Sequence, residues 1–465
     1  MVGAPLLLSG CITFSPDGGM AVVADIAGNE LRKDVVAIRT SDEAERAHEG
    51  VRRLLGRSLT ADTAVQIALL NNRGLQAAYN QLGIAEAARV QASLPPNPTV
   101  SIGRLSGAAE IEIEKRIVAS ILALATLPVR TEIASQRFSQ AQLRAVEDTL
   151  RLAADARRTY YRAVSQRQLT EFLTQAKSAA ETATQLARRL GETGTMNKLD
   201  QARHQVFYAE VTAQLAIARQ RATTERERLT RLLGLWGAET NFRLPNTLVA
   251  LPRNPRALPD IEIEAIRRRV DLQVARIEVN LLAKSYGLGQ ATRFINLLDV
   301  AGASKTTKER ESGERTRDEG FEIEFQIPIF DFGEARVRQA EGSYMHAVNR
   351  LTERAVNVRS EARDAYRTYR STYDIAAHYR REIVPLRKII SDETLLRYNA
   401  MQIDVFSLLA EARQRINSNI AAIEAQRDFW LASVDLSTAV VGGGAAGGGE
   451  PAATAAAPAG AAGGH

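Results

Sequence analysis

Residues 321–341 read FEIEFQIPIFDFGEARVRQAE, and the pattern of apolar residues changes within this stretch. Apolar and polar residues alternate over 321–329, which predicts a β-strand with one apolar and one acidic face. Pro328 lacks a backbone N–H and so can end the strand ladder, Asp331 can cap a following helix, and Gly333 permits close packing. The stretch therefore predicts a strand-to-helix junction whose residues have structural roles.

Beyond this junction, apolar and aromatic residues recur every three or four positions, which predicts one sustained helical stripe. Its members are Ala340, Tyr344, Ala347, Leu351, Ala355, Val358, Ala362, Tyr366, Tyr369, Tyr373 and Ala376. A helix over about 334–398 would be on the order of 95 Å long. A short turn at 399–402 precedes a second helix at 404–436, so we predict a long helical hairpin.

The same order of elements occurs earlier, at an offset of about 200 to 210 residues, which predicts an internal duplication. Residues 68–76 align with 265–273, and 156–160 align with 362–366. The first copy has alternating segments at 99–105 and 109–117. In the second copy, the alternating segments at 291–300 and 321–329 flank the charged stretch 305–319, which we predict to be an exposed loop.

These patterns predict five segments. They are a lipoprotein signal with its lipobox at 1–11; an extended N-terminal segment at 12–58; a first repeat at 59–257, with strands at about 99–117 and a helical hairpin at about 131–233; a second repeat at 258–441, with strands at about 291–329 and a helical hairpin at about 334–436; and a disordered Gly/Ala tail at 442–465.

The composition argues against an enzyme and against a nucleic-acid-binding protein. Hydrophobic residues make up 45% of the 465 residues and aromatic residues 5%, which is typical of long helices packed through small side chains. The net charge is +6, but basic and acidic residues are interleaved, as on solvated helix faces. The five histidines are scattered, so we predict no catalytic site, no cofactor and no metal site.

The single cysteine, Cys11, follows Leu7-Leu8-Ser9-Gly10 at the end of a short apolar run. This arrangement resembles a bacterial lipobox, in which the thiol is lipidated, for example with palmitate, and the cysteine becomes the first residue after cleavage. A buried or incidental cysteine is the alternative. Ile12 in place of Asp favours sorting to the outer membrane. No uncharged apolar run reaches about 18 residues, so any crossing of the membrane must use strands.

Four strands in one chain are too few to close a transmembrane barrel, since such barrels begin at about eight strands. Three copies would supply twelve strands, and their helical hairpins would continue the wall as a tube. The predicted fold is therefore mainly α with a small β part: a trimeric 12-stranded β-barrel continued by a long α-helical barrel, built from two strand-strand-helix-helix repeats.

The segment 327–333, IPIFDFG, together with RVRQAE at 336–341, resembles the junction of the outer-membrane efflux protein family, whose type member is TolC. The resemblance extends over about 59–436. It implies a lipid-anchored exit duct in the outer membrane that extends into the periplasm and conducts drugs or metal cations. The implied partners are two further copies, a periplasmic adaptor, an inner-membrane pump and outer-membrane lipid, with no nucleic acid.

The resemblance also implies a periplasmic gate just after the turn of the second hairpin. Its candidates here are Asp404, Phe406, Glu411 and Arg413, while Ala410 occupies the position of the family's gate aspartate. We therefore expect a gate held by Phe406 packing and Arg413 pairing. Glu411 and Arg413 as ordinary helix charges are the alternative.

The hairpin tips are expected to face the adaptor, through Gly194 and Thr195 in the first repeat and Met401 and Gln402 in the second. Two other functions stay open from the sequence. One is a periplasmic coiled-coil adaptor or scaffold protein, because long Ala-rich hairpins serve both. The other is the exit duct of a type I secretion system.

Overall fold

The computed structural model describes residues 14–295 and 297–443. Cys11, the predicted signal segment 1–11 and residues 444–465 of the predicted tail lie outside the described residues. Gly442 and Gly443, which begin the predicted tail, are buried. A Cβ on Gly443 would lie 2.7 Å from the backbone N of Arg151, so the chain at Gly443 packs closely on the helix that contains Arg151.

The described chain is mainly helical with one small antiparallel sheet, as predicted. Thirteen α-helices run in chain order: α1 Met20–Val23, α2 Asn29–Leu31, α3 Ser41–Leu55, α4 Ala61–Asn71, α5 Arg73–Ser93, α6 Ile121–Ala125, α7 Leu127–Glu192, α8 Lys198–Leu233, α9 Ile261–Arg268, α10 Val270–Ala291, α11 Glu334–His378, α12 Val384–Asn399 and α13 Val405–Val441. Within the described residues, every helix is too short or too polar to cross a membrane.

The predicted helical hairpins are present as α7 with α8 and as α11 to α12 with α13. A π-helical turn, Tyr379–Ile383, separates α11 from α12. Pro385 lies at the start of α12, and its missing N–H explains why the regular hydrogen-bond ladder is interrupted here. The helix therefore continues through the proline with a local change of pitch.

The four strands form one antiparallel sheet in the order β1-β2-β3-β4. Their bounds are β1 Thr99–Ser106, β2 Glu110–Ser120, β3 Leu298–Glu309 and β4 Arg315–Phe325. The two hairpins come from different repeats, and β2 of the first repeat pairs with β3 of the second. The duplication therefore produces one continuous sheet.

The predicted strand bounds in the second repeat are wrong. Residues 291–295 and 297 contain no strand, and residues 326–329 lie beyond the end of β4. Most of the predicted loop 305–319 is strand, because β3 extends to Glu309 and β4 begins at Arg315. This stretch was predicted as loop because its charged side chains hide the two-residue period; its backbone nevertheless forms a regular ladder.

The prediction of an extended segment at 12–58 is also wrong, because α1, α2 and α3 lie within it. The start of α3 is a reciprocal capping box. Glu43 N donates to Thr40 Oγ1 at 3.3 Å, and Thr40 N donates to Glu43 Oε2 at 3.1 Å. The T-x-x-E sequence at residues 40–43 marks this helix start, although the apolar periodicity does not reveal it.

The chain divides into two compact units. The first comprises residues 14–48, 72–147 and 262–361, and it contains the sheet; its fully buried side chains include Val23, Ala27, Leu82, Val146, Leu272 and Val358. The second comprises 49–71, 148–261 and 362–443. There, α7, α8 and α13 share an apolar core that includes Leu173, Phe207, Val211, Leu215, Leu409 and Ile416.

Candidate functional site

One face of the sheet is apolar at the end nearest the helices. The register places Val100, Ile117, Gly302 and Phe321 in one row across the four strands, with Ala119, Val300 and Ile323 in the next row. Leu298 and Phe325 pair in the row after that. Phe321 and Phe325 are exposed to 79% and 61%. We call these three rows the apolar rows.

The opposite face of the sheet is acidic. It carries the carboxylates of Glu110, Glu112, Glu114, Asp299, Glu309, Asp318, Glu322 and Glu324 and only two basic residues, Arg116 and Lys305. Arg116 Nη2 lies 2.9 Å from Glu322 Oε2, and Lys305 Nζ lies 2.7 Å from Glu112 Oε1. Carboxylates therefore remain in excess on this face. Throughout the described ranges, no three His, Cys, Asp or Glu side chains are arranged to hold a metal ion.

The two outer strands of the sheet each pair on one side only in the described chain. Every residue of β1 and of β4 is exposed. Each of these strands therefore presents a row of backbone N–H and C=O groups that no neighbouring strand satisfies. Such edges invite pairing with a further strand.

The junction residues Pro328, Asp331 and Gly333 lie in the segment 326–333 between β4 and α11. The strand ends at Phe325, three residues before Pro328, so the proline does not itself terminate the ladder. Asp331 Oδ1 accepts a hydrogen bond from Gly333 N at 2.8 Å, and α11 begins at Glu334. Asp331 therefore shapes the turn before the helix and is not its capping residue.

Gly333 adopts a left-handed backbone with φ of +72°. A Cβ at this position would lie 2.6 Å from the backbone O of Arg293. The Arg293 side chain donates from Nε to Phe332 O at 2.9 Å. Both the conformation and the close approach favour glycine here.

The two hairpin tips have the same turn. Thr195 N donates to Leu190 O, and Gln402 N donates to Arg397 O, each at 2.9 Å across five residues. The residues just before them, Gly194 and Met401, are left-handed, with φ of +75° and +57°. This pattern ends α7 and α12 in the same way. Gly194, Thr195, Met401 and Gln402 are all exposed.

Asp404 is the N-cap of α13, and its Oδ1 accepts a hydrogen bond from Ser407 N at 2.9 Å. The Ser407 hydroxyl and the Ser407 N–H together hold the pKa of the Asp404 carboxyl below its ordinary value. Asn197 caps α8 in the same way, accepting from Asp200 N at 2.8 Å. In this conformation the Asp404 carboxylate is engaged in capping its own helix.

The other gate candidates each contact a helix other than α13. Arg413 Nε donates to Glu210 Oε2 on α8 at 2.8 Å, and the Arg413 guanidinium lies 5.5 Å from the ring of Phe207. Phe406 is exposed to 56%, and its ring lies 5.5 Å from the Arg203 guanidinium. Arg413 and Phe406 thus both connect α13 to α8.

Glu411 contacts α12. Its Oε2 accepts a hydrogen bond from Arg387 Nη1 at 3.1 Å. Its Oε1 is buried and has no hydrogen-bond partner among the described residues. Glu411 and Arg413 therefore do not pair with each other. Ala410 is half-buried and contributes no polar group.

Sequence reasoning missed the residues that pair with the gate candidates: Arg203 and Glu210 on α8 and Arg387 on α12. Arg203 and Arg387 lie among mixed charges, and Glu210 is the one charged residue in 205–218, so no local motif marks any of the three. The 3.6-residue period places such residues on a helix face. It does not give the axial offset between two packed helices, which decides which charges meet.

Comparison with known proteins supports the family resemblance. Residues 263–391 match the family model described as outer membrane efflux protein. No curated protein matches the sequence of this chain. Among solved structures, CusC, described with a transmembrane channel, is 16% identical with a TM-score of 0.69, covering 82% of this chain and 92% of that chain.

A membrane protein from Pseudomonas aeruginosa is 19% identical with a TM-score of 0.69, covering 84% of this chain and 93% of its own. The outer-membrane channel OprN is 18% identical with a TM-score of 0.68, covering 88% and 94%. At such low identities these likenesses show a shared fold. The resemblance to the outer membrane efflux protein family is thus confirmed by sequence over residues 263–391, and the fold is shared with these solved structures over most of the chain.

Proposed function

We propose that this chain is one subunit of a trimeric outer-membrane channel that passively conducts exported drugs or metal cations from a periplasmic adaptor and an inner-membrane pump to the exterior. The protein would act as a conduit and not as an enzyme. Solved relatives of the same fold are described as outer-membrane channels, among them CmeC of Campylobacter jejuni and MtrE of Neisseria gonorrhoeae.

The observation that carries this proposal is the four-stranded sheet with two exposed edges, one apolar face and one acidic face. Backbone groups at an unpaired edge cannot enter a lipid bilayer, so the sheet requires strands from other chains to close. Three copies would form a twelve-stranded barrel with the apolar rows toward lipid and the acidic face toward the lumen. A coiled-coil scaffold has no need of such a sheet.

The assembly has a direct test. Chain extracted from the outer-membrane fraction should have the mass of a trimer by native mass spectrometry and should conduct ions in planar bilayers. A monomer or dimer in the soluble fraction would contradict the proposal and would favour the scaffold alternative. The anchor at Cys11 is tested separately, because Cys11→Ser should abolish incorporation of a palmitate analogue while trimers still form.

We also propose that Phe406 and the pairs Arg413–Glu210 and Arg387–Glu411 hold the periplasmic end of the channel closed. Each pair joins α13 to a different helix, so α13 cannot move away from α8 and α12 without separating both. The hairpin tips, Gly194 and Thr195 with Met401 and Gln402, would meet the adaptor.

Planar-bilayer conductance tests the closure. The Arg413–Glu210 pair is partly exposed, and such pairs contribute about 0.2 to 1 kcal/mol, so Arg413→Ala should raise the open population by up to about fivefold. Glu210→Ala should have a similar effect, and the double variant should add little. Arg219→Ala is the control, since the Arg219 side chain has no partner among the described residues. An equal rise in the open population from Arg219→Ala would refute the role of the Arg413–Glu210 pair in closing the channel.

A further inference from the structure

The face that bears the apolar rows changes character toward the hairpin turns. The register continues it in three further rows: Ile102, Lys115, Ser304 and Glu319; then Arg104, Ile113, Thr306 and Arg317; then Ser106, Ile111, Lys308 and Arg315. These rows contain five basic side chains and one carboxylate. We call Arg104, Lys115, Lys308, Arg315 and Arg317 the basic rim.

The basic rim is segregated from the carboxylates of the sheet. Eight acidic side chains lie on the opposite face, so an anion meets attraction on one side of these strands and repulsion on the other. Two more carboxylates, Glu311 and Glu314, lie in the turn between β3 and β4, beyond the last row of the rim. The excess of positive charge is therefore confined to one face.

Most of the rim lacks a counter-charge. Arg317 Nη2 lies 2.5 Å from Glu319 Oε1. Across the described residues, no hydrogen bond or ion pair involves the side chains of Arg104, Lys115, Lys308 or Arg315. Lys308 and Arg315 also lie directly opposite each other on neighbouring strands. Their like charges repel each other unless an anion lies between them.

The rim and the apolar rows fit an amphiphile in both chemistry and spacing. Phe321 and Arg317 share a face of β4 and are four residues apart, about 14 Å at strand rise. Acyl chains beside Phe321 and Ile323 would therefore bring an attached phosphate to the level of the rim. A free anion would gain nothing from the apolar rows.

We propose that the basic rim binds the phosphate groups of anionic lipid in the outer leaflet, with the acyl chains of the same lipid lying along the apolar rows. The inference rests on the proposed channel function, because it requires the hairpin turns to lie at the external end. That end is opposite the strand ends that connect to the helices. In the proposed trimer, Arg315 and Arg317 of each copy would adjoin the β1 strand of the next, which carries Arg104.

The test uses the full chain, purified in neutral detergent, with native mass spectrometry as readout. Bound lipid is counted on the trimer during titration with diphosphoryl lipid A and, in separate arms, monophosphoryl lipid A and phosphatidylcholine. The variant combines R104Q, K115Q, K308Q and R315Q. The control combines R219Q, R221Q, R359Q and K388Q, which removes the same charge from exposed helix positions.

We expect diphosphoryl lipid A to bind more tightly than the monophosphoryl form, and phosphatidylcholine to bind weakly. Each lost cation should weaken binding about fivefold, and the four together about 600-fold, while the control stays like the wild type. Raised salt should weaken the wild type more than the variant.

Unchanged binding by the rim variant would overturn the inference, as would equal binding of phosphatidylcholine. Displacement of lipid A by a modest excess of inorganic phosphate would also overturn it, because the rim would then be a site for free anion. The same spectra report trimer mass, and bilayers report conductance. A conducting trimer with unaltered lipid binding refutes the rim alone, whereas absence of trimer and conductance refutes the proposed function.

Discussion

Met401 at the tip of the second hairpin is left-handed, with φ of +57°, and its side chain is 95% exposed. A non-glycine residue in this conformation costs roughly 1–2 kcal/mol, and nothing in the described tip repays it through packing. Gly194 occupies the matching position of the first hairpin. Backbone strain at only one of two equivalent turns is expected where the side chain of the strained residue binds a partner protein.

Met401→Gly should therefore raise the free energy of unfolding by about 1 kcal/mol, because glycine adopts the left-handed turn without strain. Thermal unfolding of the purified chain measures this. Met345→Gly is the control with the opposite sign, since Met345 lies within α11 and glycine there should destabilise by about 1 kcal/mol. If the Met401 side chain contacts the adaptor, the same substitution should weaken adaptor binding. Destabilisation by Met401→Gly would contradict the strain argument.

His204 is the buried titratable side chain of α8, with 5% of its surface exposed. Its Nδ1 is buried and has no partner among the described residues. Burial lowers the pKa of His204 below its ordinary value of 6.5, although the nearby Asp200 carboxylate acts to raise it. The folded protein therefore binds this proton less readily than the unfolded chain does.

The stability contributed by neutral His204 should be complete above about pH 6.5 and should be lost as the pH falls from there toward the lowered pKa. Thermal midpoints measured at about pH 7.5 and about pH 5.5 should differ more in the wild type than in His204→Gln. His346→Gln is the control, because His346 is exposed. If the thermal midpoint of the wild type changed with pH no more than that of His204→Gln, His204 would not be the cause of the pH dependence of stability.

At the scale of elements, the linker between the repeats, residues 241–260, is held by side chains of several helices. Val249 O accepts from Trp430 Nε1 at 2.9 Å and from Gln426 Nε2 at 2.8 Å. The Tyr373 hydroxyl lies 2.8 Å from Arg253 O and 3.1 Å from Pro252 O. These helices thus satisfy linker carbonyls that no secondary structure satisfies.

Tyr373→Phe should lower the free energy of unfolding by about 1 kcal/mol, because it leaves a partly buried carbonyl without its donor while retaining the ring. The ring itself packs edge-on against Phe429, with centroids 5.6 Å apart, and this contact is kept. Tyr366→Phe is the matched control, since no hydrogen bond of the Tyr366 hydroxyl is present in the described residues. Denaturant unfolding should separate the two variants, and equal losses would contradict the role of the linker bond.

The long helices could be predicted from the sequence because a core-facing stripe repeats for many turns. The first hairpin, predicted at 131–233, occupies Leu127–Glu192 and Lys198–Leu233. The strands were harder to predict, because charged side chains lie on both faces of the sheet. Where β3 and β4 carry Lys308, Arg315 and Arg317, both faces are polar and the two-residue period disappears.

The site was predictable only where local geometry defines it. The sequence offset between the repeats aligns the two hairpin tips with each other. Gly194 and Met401 occupy the same position in their turns, and both have a left-handed backbone. The partners of Arg413 and Glu411 were not predictable, because Glu210 and Arg387 lie on other helices whose axial offset arises from packing. Local chemistry therefore located the tips, while pairing across helices required the structure.

At the scale of the whole molecule, the segregation of charge between the two sheet faces predicts how a closed barrel would select ions. With the apolar rows toward lipid, three copies would direct the excess carboxylates of all three acidic faces into one lumen. Field lines confined between low-dielectric walls would concentrate cations there. The channel should therefore prefer cations, and the preference should decline as salt screens the carboxylates.

Reversal potentials in a potassium chloride gradient measure this preference. Glu110→Gln combined with Glu114→Gln should reduce the cation-to-anion permeability ratio severalfold, because both carboxylates lie on the acidic face and neither is ion-paired among the described residues. Glu319→Gln is the control, since Glu319 lies on the opposite face of the same sheet. An equal change from Glu319→Gln would mean that both faces are accessible to the conducted ions. The sheet would then not form the closed wall that the channel requires.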